Sequence, residues 1–545
     1  MLLTNLSRKP YMLINKKNPS AKLLSNLFGN DRVPEKILFV GLVLSIAWSI
    51  YFAILTIFIP YQIELREGTA LVSTELLLNG KNPYNFENQP LGINVYGIGY
   101  SLVVLPFAFM FGNTLLVHRA ITFIFIVLSA AVVFVTIFRT RKNEGFILSL
   151  LGGTFVAIGL IAYGGIGAFP ASMGTFLFLV AVLWPFIKSF DQTSLFTSIL
   201  LSLFAFYTKP YFVLAFGIVA AYLFLFVSQK KAITYGILFS FLFAALFVAV
   251  RFVFPLYFIN VIAANISLTS RSYSVLKNNL NQMFLFFYPV LFLGMILLAG
   301  DLFTSRNRMF GMNELFDFSG PSDWDRPLFK HPSNYLLFSF LSVLLVFLFI
   351  LGQHGGGTGM NYANQLVMPL YFCWLFQKSQ LGEKLRFILV PLLLFNLFAW
   401  EQAVLNPDML KQKDSKEWAE LFEYVRSSSN ILNSPVIVSE VIKMGMEPVD
   451  SGQTIIYYEI GDYPYAKLIG WSHESILADG VKYTKEIDLS IKKQSYDLIF
   501  LTNEKAVFYH DKYLDKYYFQ VAKIKVDMPQ TGQRWTILVW KPLAK

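Results

Sequence analysis

Acidic residues gather directly after the first long apolar run of the sequence. Glu64 and Glu67 flank Arg66, and Glu75 follows in the same stretch, residues 61–115. A carboxylate that is partly desolvated beside a membrane has a raised pKa and can accept a proton from a hydroxyl. The stretch therefore predicts a general base. The alternative is a solvated loop in which Arg66 forms an ion pair.

Four basic residues on the predicted outer half of the chain could bind an anion such as a phosphate. They are Lys81, Arg119, Lys209 and Arg251. Lys209 is the strongest candidate, because it lies between two short apolar runs and before Pro210, where a helix is expected to break and leave backbone groups free. The alternative for Lys209 and Arg119 is a side chain that extends along apolar surface to the outer membrane interface.

A glycine-rich stretch near residue 355 carries a further polar group. His354, Asn361, Tyr362 and Gln365 could donate or accept hydrogen bonds with sugar hydroxyls or a phosphate. The alternative for His354 is a structural role, which is the more common one for a lone histidine. Gly355 to Gly357 do not form a nucleotide-binding loop, because no strand precedes them and no Lys-Ser/Thr pair follows.

Metal and thiol chemistry have little support in the sequence. The chain has five histidines and one cysteine, Cys373, so it cannot form an intramolecular disulfide. No second ligand stands at metal-ligand spacing from His354, which argues against a transition-metal site. A divalent cation between Glu64 and Glu67 is neither required nor supported. No cofactor is therefore expected to be required.

The composition indicates what surrounds these residues. Of 545 residues, 55% are apolar, 17% are aromatic and 14% are charged, and the mean hydropathy is +0.53. Soluble domains have roughly 25% charged residues. The chain is therefore predicted to be an α-helical polytopic membrane protein, and both a soluble protein and a disordered chain are excluded.

Eleven apolar runs predict transmembrane helices. They are residues 37–60, 116–138, 145–162, 170–187, 194–207, 210–227, 232–257, 283–300, 333–352, 362–377 and 386–402. With the N-terminus in the cytoplasm, 20 of the 27 basic residues before residue 403 fall on inner segments, as the positive-inside rule requires. The net charge of +12 in this part indicates contact with anionic membrane lipid rather than with nucleic acid.

The spans divide the chain into three parts. Residues 1–36 form a cytoplasmic segment, residues 37–402 the transmembrane domain, and the rest an outer domain in a multi-pass protein of the plasma (inner) membrane. Residues 91–112 are almost long enough to cross, but a crossing would move the basic block at 139–142 outside. They are therefore interpreted as a juxtamembrane or re-entrant segment, which makes residues 61–115 one large outer loop.

The tail, residues 403–545, differs in kind from the membrane part. It carries 18 Lys and Arg against 19 Asp and Glu, and its apolar runs are short. Residues 415–426 have helical spacing with Ser415 as a candidate N-cap. Five runs read as strands: SPVIVSE, QTIIYYE, YDLIFLTN, FQVAKIKV and RWTILVWK. A small extracytoplasmic α/β domain is predicted.

The outer loop resembles the first outer loop of the GT-C superfamily of polytopic membrane glycosyltransferases. The likeness is to the bacterial mannosyl/galacturonosyl-type branch, which is related to protein O-mannosyltransferases and the lipid A aminoarabinose transferase. The motifs that carry it, in chain order, are Glu67-Gly68, Gly80 to Tyr84, Phe111-Gly112, Arg119, Phe206 to Tyr211, and Asn361-Tyr362 within Gly355 to Gln365. Each motif is short, and their order over most of the chain is the signal.

The resemblance implies a GT-C-like catalytic domain that transfers a sugar on the extracytoplasmic face with inversion. The donor would be a polyprenyl-phosphate-linked sugar and the acceptor a hydroxyl of a glycan, glycolipid or protein. Glu67 is the implied base. The family commonly has an Asp immediately before this Glu, where this chain has Arg66, so Glu64 is the alternative. The candidate substrate-binding residues are Arg66, Lys81, Tyr84, Tyr96, Arg119, Lys209, His354, Asn361, Tyr362 and Gln365.

Two other functions compete with transfer. A transporter or flippase of lipid-linked saccharides should show paired halves, charges near the bilayer midplane and interrupted helices in corresponding positions. The sequence shows no such pairing, and its charges lie near the outer ends of the spans. A polysaccharide polymerase shares the chemistry and differs in its donor.

Overall fold

The structure is a computed structural model. It describes residues 33–88, 94–141, 145–263, 272–285, 290–292, 294–295, 327–329, 334–351, 361–378, 394–395, 397–398, 416–450, 485–502, 511–528 and 533–544. This part of the chain is a helical membrane domain followed by a small mixed sheet with helices.

Eleven α-helices of the membrane domain have both ends within the described residues, and residues 273–285 are helical as well. They are α1 (Val33–Ile57), α2 (Glu67–Leu78), α3 (Ile98–Phe111), α4 (Leu115–Thr140), α5 (Phe146–Gly159), α6 (Ala171–Ile187), α7 (Gln192–Thr208), α8 (Leu214–Tyr222), α9 (Gln229–Val253), α10 (Tyr335–Leu351) and α11 (Met368–Lys378). Short π-helical segments extend α5 over Leu160–Gly164 and α8 over Leu223–Val227, and another, Ala363–Val367, precedes α11. A 3₁₀ turn, Pro210–Val213, leads into α8.

The protein is a multi-pass membrane protein. Four stretches of the described residues are long and apolar enough to cross a bilayer, namely Lys36–Ile57, Leu115–Thr140, Pro210–Val227 and Gln229–Val253. Nine of the eleven apolar runs coincide with helices. The other two, 283–300 and 386–402, lie largely outside the described residues.

The segment predicted to remain on one side of the membrane contains α3, a helix of 14 residues. At 1.5 Å per residue such a helix is about 21 Å long, which is less than the hydrocarbon thickness of about 30 Å. Other helices that coincide with predicted spans, such as α6, are also shorter than this thickness. The juxtamembrane or re-entrant placement of α3 and the side of the membrane on which it lies therefore stay predictions.

Apolar packing between α4, α5, α6 and α11 forms the core of the membrane domain. Phe155 and Phe178 have no exposed surface, and the ring of Phe155 stacks on that of Phe372 with centroids 5.0 Å apart. This core fixes α4 and the start of α6, and both contribute to the candidate site.

The C-terminal domain contains α12 (Lys416–Arg426), β1 (Ile431–Leu432), α13 (Val438–Lys443), β2 (Leu498–Thr502), α14 (Asp511–Tyr517), β3 (Tyr518–Met528) and β4 (Gln533–Pro542). The strand order is β1-β2-β4-β3, in which β1 and β2 are parallel and the other pairs are antiparallel. The predicted α/β character is confirmed, and the predicted helix and the last three predicted strands match α12, β2, β3 and β4.

One predicted strand is wrong. The run SPVIVSE, residues 434–440, forms a 3₁₀ turn, Pro435–Ile437, followed by α13. Ser434 caps this turn by accepting a hydrogen bond from the Val436 amide, and Pro435 occupies the first helical position, where proline is favoured. This local signal outweighs the β-branched composition. The run QTIIYYE lies outside the described residues.

The C-terminal domain packs directly on the segment that joins α1 to α2, residues 58–66, called the linking segment here. Tyr61 stacks on Trp418 with ring centroids 4.4 Å apart, and Ile59 and Ile63 belong to the same buried cluster as the sheet. The Gln62 amide donates to the Pro435 carbonyl at 3.0 Å and accepts from the Ser439 amide at 3.2 Å. The linking segment thus contacts the C-terminal domain through both apolar packing and hydrogen bonds.

Candidate functional site

The linking segment is also held from the membrane side, by Arg119 near the start of α4. Its Nη1 donates to the carbonyls of Thr56 at 3.2 Å and Ile59 at 2.6 Å, and Nη2 donates to the carbonyl of Tyr61 at 2.7 Å. These carbonyls lie in and just after the last turn of α1, where backbone acceptors lack helical partners. Arg119 therefore joins the end of α1 to α4.

Glu67, the first residue of α2, completes this anchor. Arg119 donates from Nε to one carboxylate oxygen and from Nη2 to the other, each at 2.8 Å. The backbone amides of Ile63, at 2.7 Å, and Ala168, at 3.0 Å, supply two more hydrogen bonds. Both side chains of the pair have no exposed surface. Each oxygen of Glu67 thus accepts two hydrogen bonds.

This arrangement bears on the predicted role of Glu67. The carboxylate would have to give up one of its bonds and reach a substrate before it could accept a proton. Breaking a buried ion pair of this kind costs about 3–5 kcal/mol. The geometry favours an anchoring role for Glu67, and its role as the general base stays a prediction.

Glu64 has a different environment. Its carboxylate accepts from Arg66 Nε at 2.5 Å and from the Arg66 backbone amide at 2.7 Å, and these are its hydrogen bonds within the described part of the chain. Burial raises the pKa of Glu64, against the opposing charge and hydrogen bonds of Arg66. Glu64 is therefore a buried carboxylate with increased proton affinity, held by one cation.

Arg66 connects Glu64 to an aromatic wall. Its side chain is 45% exposed, and its guanidinium lies over the ring of Phe169, 5.6 Å from the centroid. Tyr96 and Tyr362 both interact electrostatically with Arg66. Besides Glu64, Arg66 therefore has aromatic neighbours and is partly accessible to solvent.

Lys209 provides the second cation. It caps the end of α7, and its Nζ lies 5.4 Å from the ring centroid of Tyr96 and 5.7 Å from that of Tyr211. No carboxylate lies within 4 Å of Nζ among the described residues. The pKa of Lys209 is lowered to about 7, chiefly by burial and also by the charge of Arg66, while Glu64 opposes the change. Lys209 is thus a half-buried cation that no close anion neutralises.

A close backbone approach places Tyr96 beside Lys209. The Gly97 amide donates to the Thr208 carbonyl at 3.2 Å, and a Cβ at residue 97 would lie 2.1 Å from the Tyr207 carbonyl oxygen. Only glycine fits there. The hydroxyl of Tyr84 donates a hydrogen bond to the Tyr96 carbonyl at 2.9 Å and stabilises the turn that contains Tyr96 and Gly97.

The segment before α11 packs against Tyr211, beside Lys209. The Tyr211 hydroxyl donates to Gln365 Oε1 at 2.6 Å, and the rings of Tyr211 and Tyr362 meet edge to face at 4.9 Å. Asn361 Oδ1 is buried and has no hydrogen-bond partner among the described residues. Its neighbour Gln365 lies in the π-helical segment Ala363–Val367, a local distortion that is frequent at functional sites.

Five predicted residues therefore come together, and they are called the Glu64 cluster here: Glu64, Arg66, Tyr96, Lys209 and Tyr362. Gln365 adjoins the cluster through Tyr211, and Asn361 is the chain neighbour of Tyr362.

The remaining candidates lie elsewhere. Lys81 pairs with Glu447 of the C-terminal domain at the exposed surface. The carbonyl of buried Tyr84 accepts from the Asn260 side chain, and Arg119 belongs to the anchor. Arg251 donates to the Pro255 carbonyl at 2.5 Å. His354 lies outside the described residues.

Two residues of the site, Tyr211 and Phe169, are not among the candidate residues predicted from the sequence. Tyr211 ends the motif Phe206 to Tyr211 and directly follows the Lys209-Pro210 pair, so its proximity could have been inferred from that break. Phe169 is more than 100 positions from Arg66 along the chain, and no local pattern indicates that their side chains meet.

The donor groups do not suit a metal ion between the two glutamates. Both oxygens of Glu67 already accept hydrogen bonds from Arg119 and backbone amides, and both oxygens of Glu64 accept hydrogen bonds from Arg66. The described residues contain no group of three His, Cys, Asp or Glu side chains that could hold a metal ion.

The fold is similar to that of ArnT from Cupriavidus metallidurans, known from a crystal structure with bound undecaprenyl phosphate. The likeness covers 91% of this chain and 97% of that chain, with a TM-score of 0.53 and 10% sequence identity. The membrane domain and its C-terminal extension therefore have a GT-C-like fold, that of a class of membrane glycosyltransferases.

More distant similarity extends to the oligosaccharyltransferase of Archaeoglobus fulgidus. Its apo form gives a TM-score of 0.47 at 12% identity, covering 91% of this chain and 74% of that chain. The form tethered to an acceptor peptide gives 0.45 at 12% identity, covering 91% and 73%. No protein-family model matches the sequence, and no curated protein matches it.

Proposed function

We propose that the protein is an integral-membrane glycosyltransferase. It moves a sugar from a polyprenyl-phosphate donor to an acceptor hydroxyl on the extracytoplasmic face, with inversion at the anomeric carbon. The observation that carries this proposal is a buried carboxylate of raised pKa beside two cations, Arg66 and Lys209, in a loop of a GT-C-like membrane fold.

The two cations suit the phosphate of such a donor. A guanidinium binds phosphate oxygens through paired hydrogen bonds, and an ammonium acts as a point charge. Lys209 lacks a carboxylate within 4 Å among the described residues, so its charge is available to an incoming anion. The structure of ArnT that this fold resembles contains undecaprenyl phosphate, which supports a lipid-linked phosphate as ligand.

Glu64 is proposed as the general base in place of Glu67. The acceptor hydroxyl transfers its proton to the Glu64 carboxylate as its oxygen attacks the anomeric carbon. The bond from that carbon to the phosphate oxygen breaks, and the electron pair leaves on the phosphate, where Lys209 and Arg66 stabilise the charge. Attack from the side opposite the phosphate gives inversion. No step requires a metal ion.

The aromatic and amide groups around the cations are proposed to bind the sugar. Tyr96, Tyr211 and Tyr362 offer ring faces and hydroxyls, and Asn361 Oδ1 is an acceptor that the described residues leave without a partner. A sugar hydroxyl could supply the missing donor. The acceptor is proposed to be a glycan, a glycolipid or a protein.

Transfer by the purified protein tests this proposal. Proteoliposomes receive polyprenyl phosphate carrying a radiolabelled hexose or pentose, together with lipids and glycans extracted from cell envelopes. We expect the wild type to form a labelled product and Glu64→Gln to form at least 100-fold less, because general base catalysis contributes about 10²–10⁴-fold. Glu87→Gln, an exposed glutamate of the same loop, should match the wild type.

Two outcomes would contradict the proposal. Full activity of Glu64→Gln would exclude Glu64 as the base. Movement of labelled lipid across the bilayer without a new glycosidic bond would identify a flippase instead.

A further inference from the structure

The ion pair between Arg66 and Glu64 raises a chemical difficulty for the proposed reaction. A carboxylate that is paired with a guanidinium accepts a proton less readily, because protonation would leave the guanidinium without its counter-charge. Arg66 is also close enough to Lys209 for its charge to lower the pKa of Lys209. Protonation of Glu64 would therefore leave two neighbouring positive charges without a counter-charge. In the resting arrangement burial favours the proton transfer that Glu64 is proposed to perform, and the ion pair with Arg66 opposes it.

The surroundings of Arg66 offer a solution. Its side chain is 45% exposed, whereas that of Glu64 is only 8% exposed, so an anion entering from solvent meets Arg66 first. The flat ring of Phe169 beneath the guanidinium allows it to change partners without losing this contact. Arg66 also interacts electrostatically with Tyr96 and Tyr362, the residues that border the proposed donor site.

The other titratable groups near Glu64 do not replace Arg66 as its ionic partner. Glu67 faces it from α2, but Arg119 already neutralises Glu67. Lys209 interacts with Glu64 electrostatically and makes no ion pair with it within 4 Å. Tyr96 is neutral near pH 7, because burial raises its pKa to about 12. Burial raises the pKa of Glu64 and Arg66 lowers it, so Arg66 is the ionic partner whose departure would raise the proton affinity of Glu64 further.

We propose that Arg66 acts as a latch operated by the donor phosphate. Without donor, Arg66 holds Glu64 as an ion pair. When a lipid-linked phosphate binds beside Lys209, Arg66 exchanges Glu64 for the phosphate oxygens and releases the carboxylate. Glu64 then becomes a competent base only when the leaving group is in place. After transfer, the phosphate departs and Arg66 returns to Glu64. This inference rests on the proposed function and assigns Arg66 a positioning role in it.

The proton affinity of Glu64 tests the latch. Infrared difference spectra between wild type and Glu64→Gln, recorded across a pH series in lipid nanodiscs, follow the carboxyl band of Glu64. The probe is undecaprenyl phosphate, with undecaprenol as the uncharged control. We expect undecaprenyl phosphate to raise the protonation midpoint of Glu64 by one pH unit or more, a tenfold gain in proton affinity, and undecaprenol to leave it unchanged.

The Arg66→Gln variant separates the latch from simple repulsion by the phosphate. It should start with a raised midpoint and lose most of the response to undecaprenyl phosphate, whereas Arg66→Lys should keep part of the response. A response of equal size in wild type and Arg66→Gln would overturn the latch, as would no response in a wild type that binds the probe. Failure to bind the probe would instead overturn the proposed function, and the latch with it.

Discussion

At the scale of single residues, the two titrating groups of the Glu64 cluster set a pH window for activity. As the proposed base, Glu64 would act in its deprotonated form, and burial raises its pKa, so kcat should fall on acidification while the pH is still above the usual range of a glutamate. As the proposed donor-binding group, Lys209 would act in its charged form, and its pKa is lowered to about 7, chiefly by burial. The KM for the donor should therefore rise as the pH increases above about 7.

Initial rates over pH 4 to 9 check this prediction, because the acidic limb should appear in kcat and the alkaline limb in KM. Replacing Lys209 by arginine should move the alkaline limb above pH 9. An alkaline limb that stays in place in Lys209→Arg would show that another group titrates there.

The charge of Lys209 should contribute to donor affinity more than that of another lysine in a similar position. A hydrogen bond to a charged group contributes about 1.5–3 kcal/mol, so Lys209→Met should raise the KM for the donor by roughly 10- to 100-fold. Lys188→Met is the matched control, because Lys188 caps α6 and lies 5.0 Å from the ring centroid of Trp184. Equal effects of the two variants on KM would contradict a phosphate site at Lys209.

At the scale of elements, Glu67 and Arg119 hold α1, α2 and α4 together, and this gives a test that separates Glu67 from Glu64. A glutamine at residue 67 has one acceptor oxygen where the carboxylate accepts four hydrogen bonds, and its NH2 group would face one backbone N–H and one N–H of Arg119. Glu67→Gln should therefore lose about 3–5 kcal/mol of stability, together with activity. Glu64→Gln should lose activity and keep its Tm.

Thermal unfolding in detergent micelles measures the Tm of each variant. A Glu67→Gln protein that retained the wild-type Tm and yet was inactive would return the role of the base to Glu67.

The contact between the turn at Gly97 and the end of α7 is a second feature that positions residues of the Glu64 cluster. An added Cβ would lie 2.1 Å from a backbone oxygen of Tyr207, which cannot move as a flexible side chain can. Gly97→Ala should therefore displace Tyr96 from Lys209 and lower kcat/KM by at least tenfold. Gly217→Ala, where no atom lies within 4 Å of the new Cβ, is the control and should have wild-type kinetics. A fully active Gly97→Ala would show that the spacing of Tyr96 and Lys209 is unimportant.

These elements also show what the sequence can and cannot predict. An apolar run such as residues 116–138 predicts a helix well, because a helix satisfies all backbone hydrogen bonds within the bilayer. The break at Lys209-Pro210 is equally local. The partner of Glu67 cannot be predicted from local sequence, because Arg119 is 52 positions away and could equally have bound a phosphate. Which of the two glutamates is saturated depends on packing, and spacing alone does not encode it.

At the scale of the whole molecule, the linking segment lies between two bodies. Arg119 holds it from the membrane domain, and Gln62, Tyr61 and the sheet cluster hold it from the C-terminal domain. Glu64 and Arg66 lie at the end of this segment. The C-terminal domain is thus positioned to affect the proposed site without contributing a residue to the Glu64 cluster.

Gln62 tests this coupling. Gln62→Ala leaves the Pro435 carbonyl and the Ser439 amide without their partner, so the linking segment should loosen against the C-terminal domain. We expect amide hydrogen exchange to increase in residues 59–66 and not in β2 and β4, and kcat to fall several-fold. Glu447→Gln is the control at the same interface, because its pair with Lys81 is largely exposed and such pairs contribute about 0–1 kcal/mol. Faster exchange in residues 59–66 with an unchanged kcat would show that the site does not depend on the C-terminal domain.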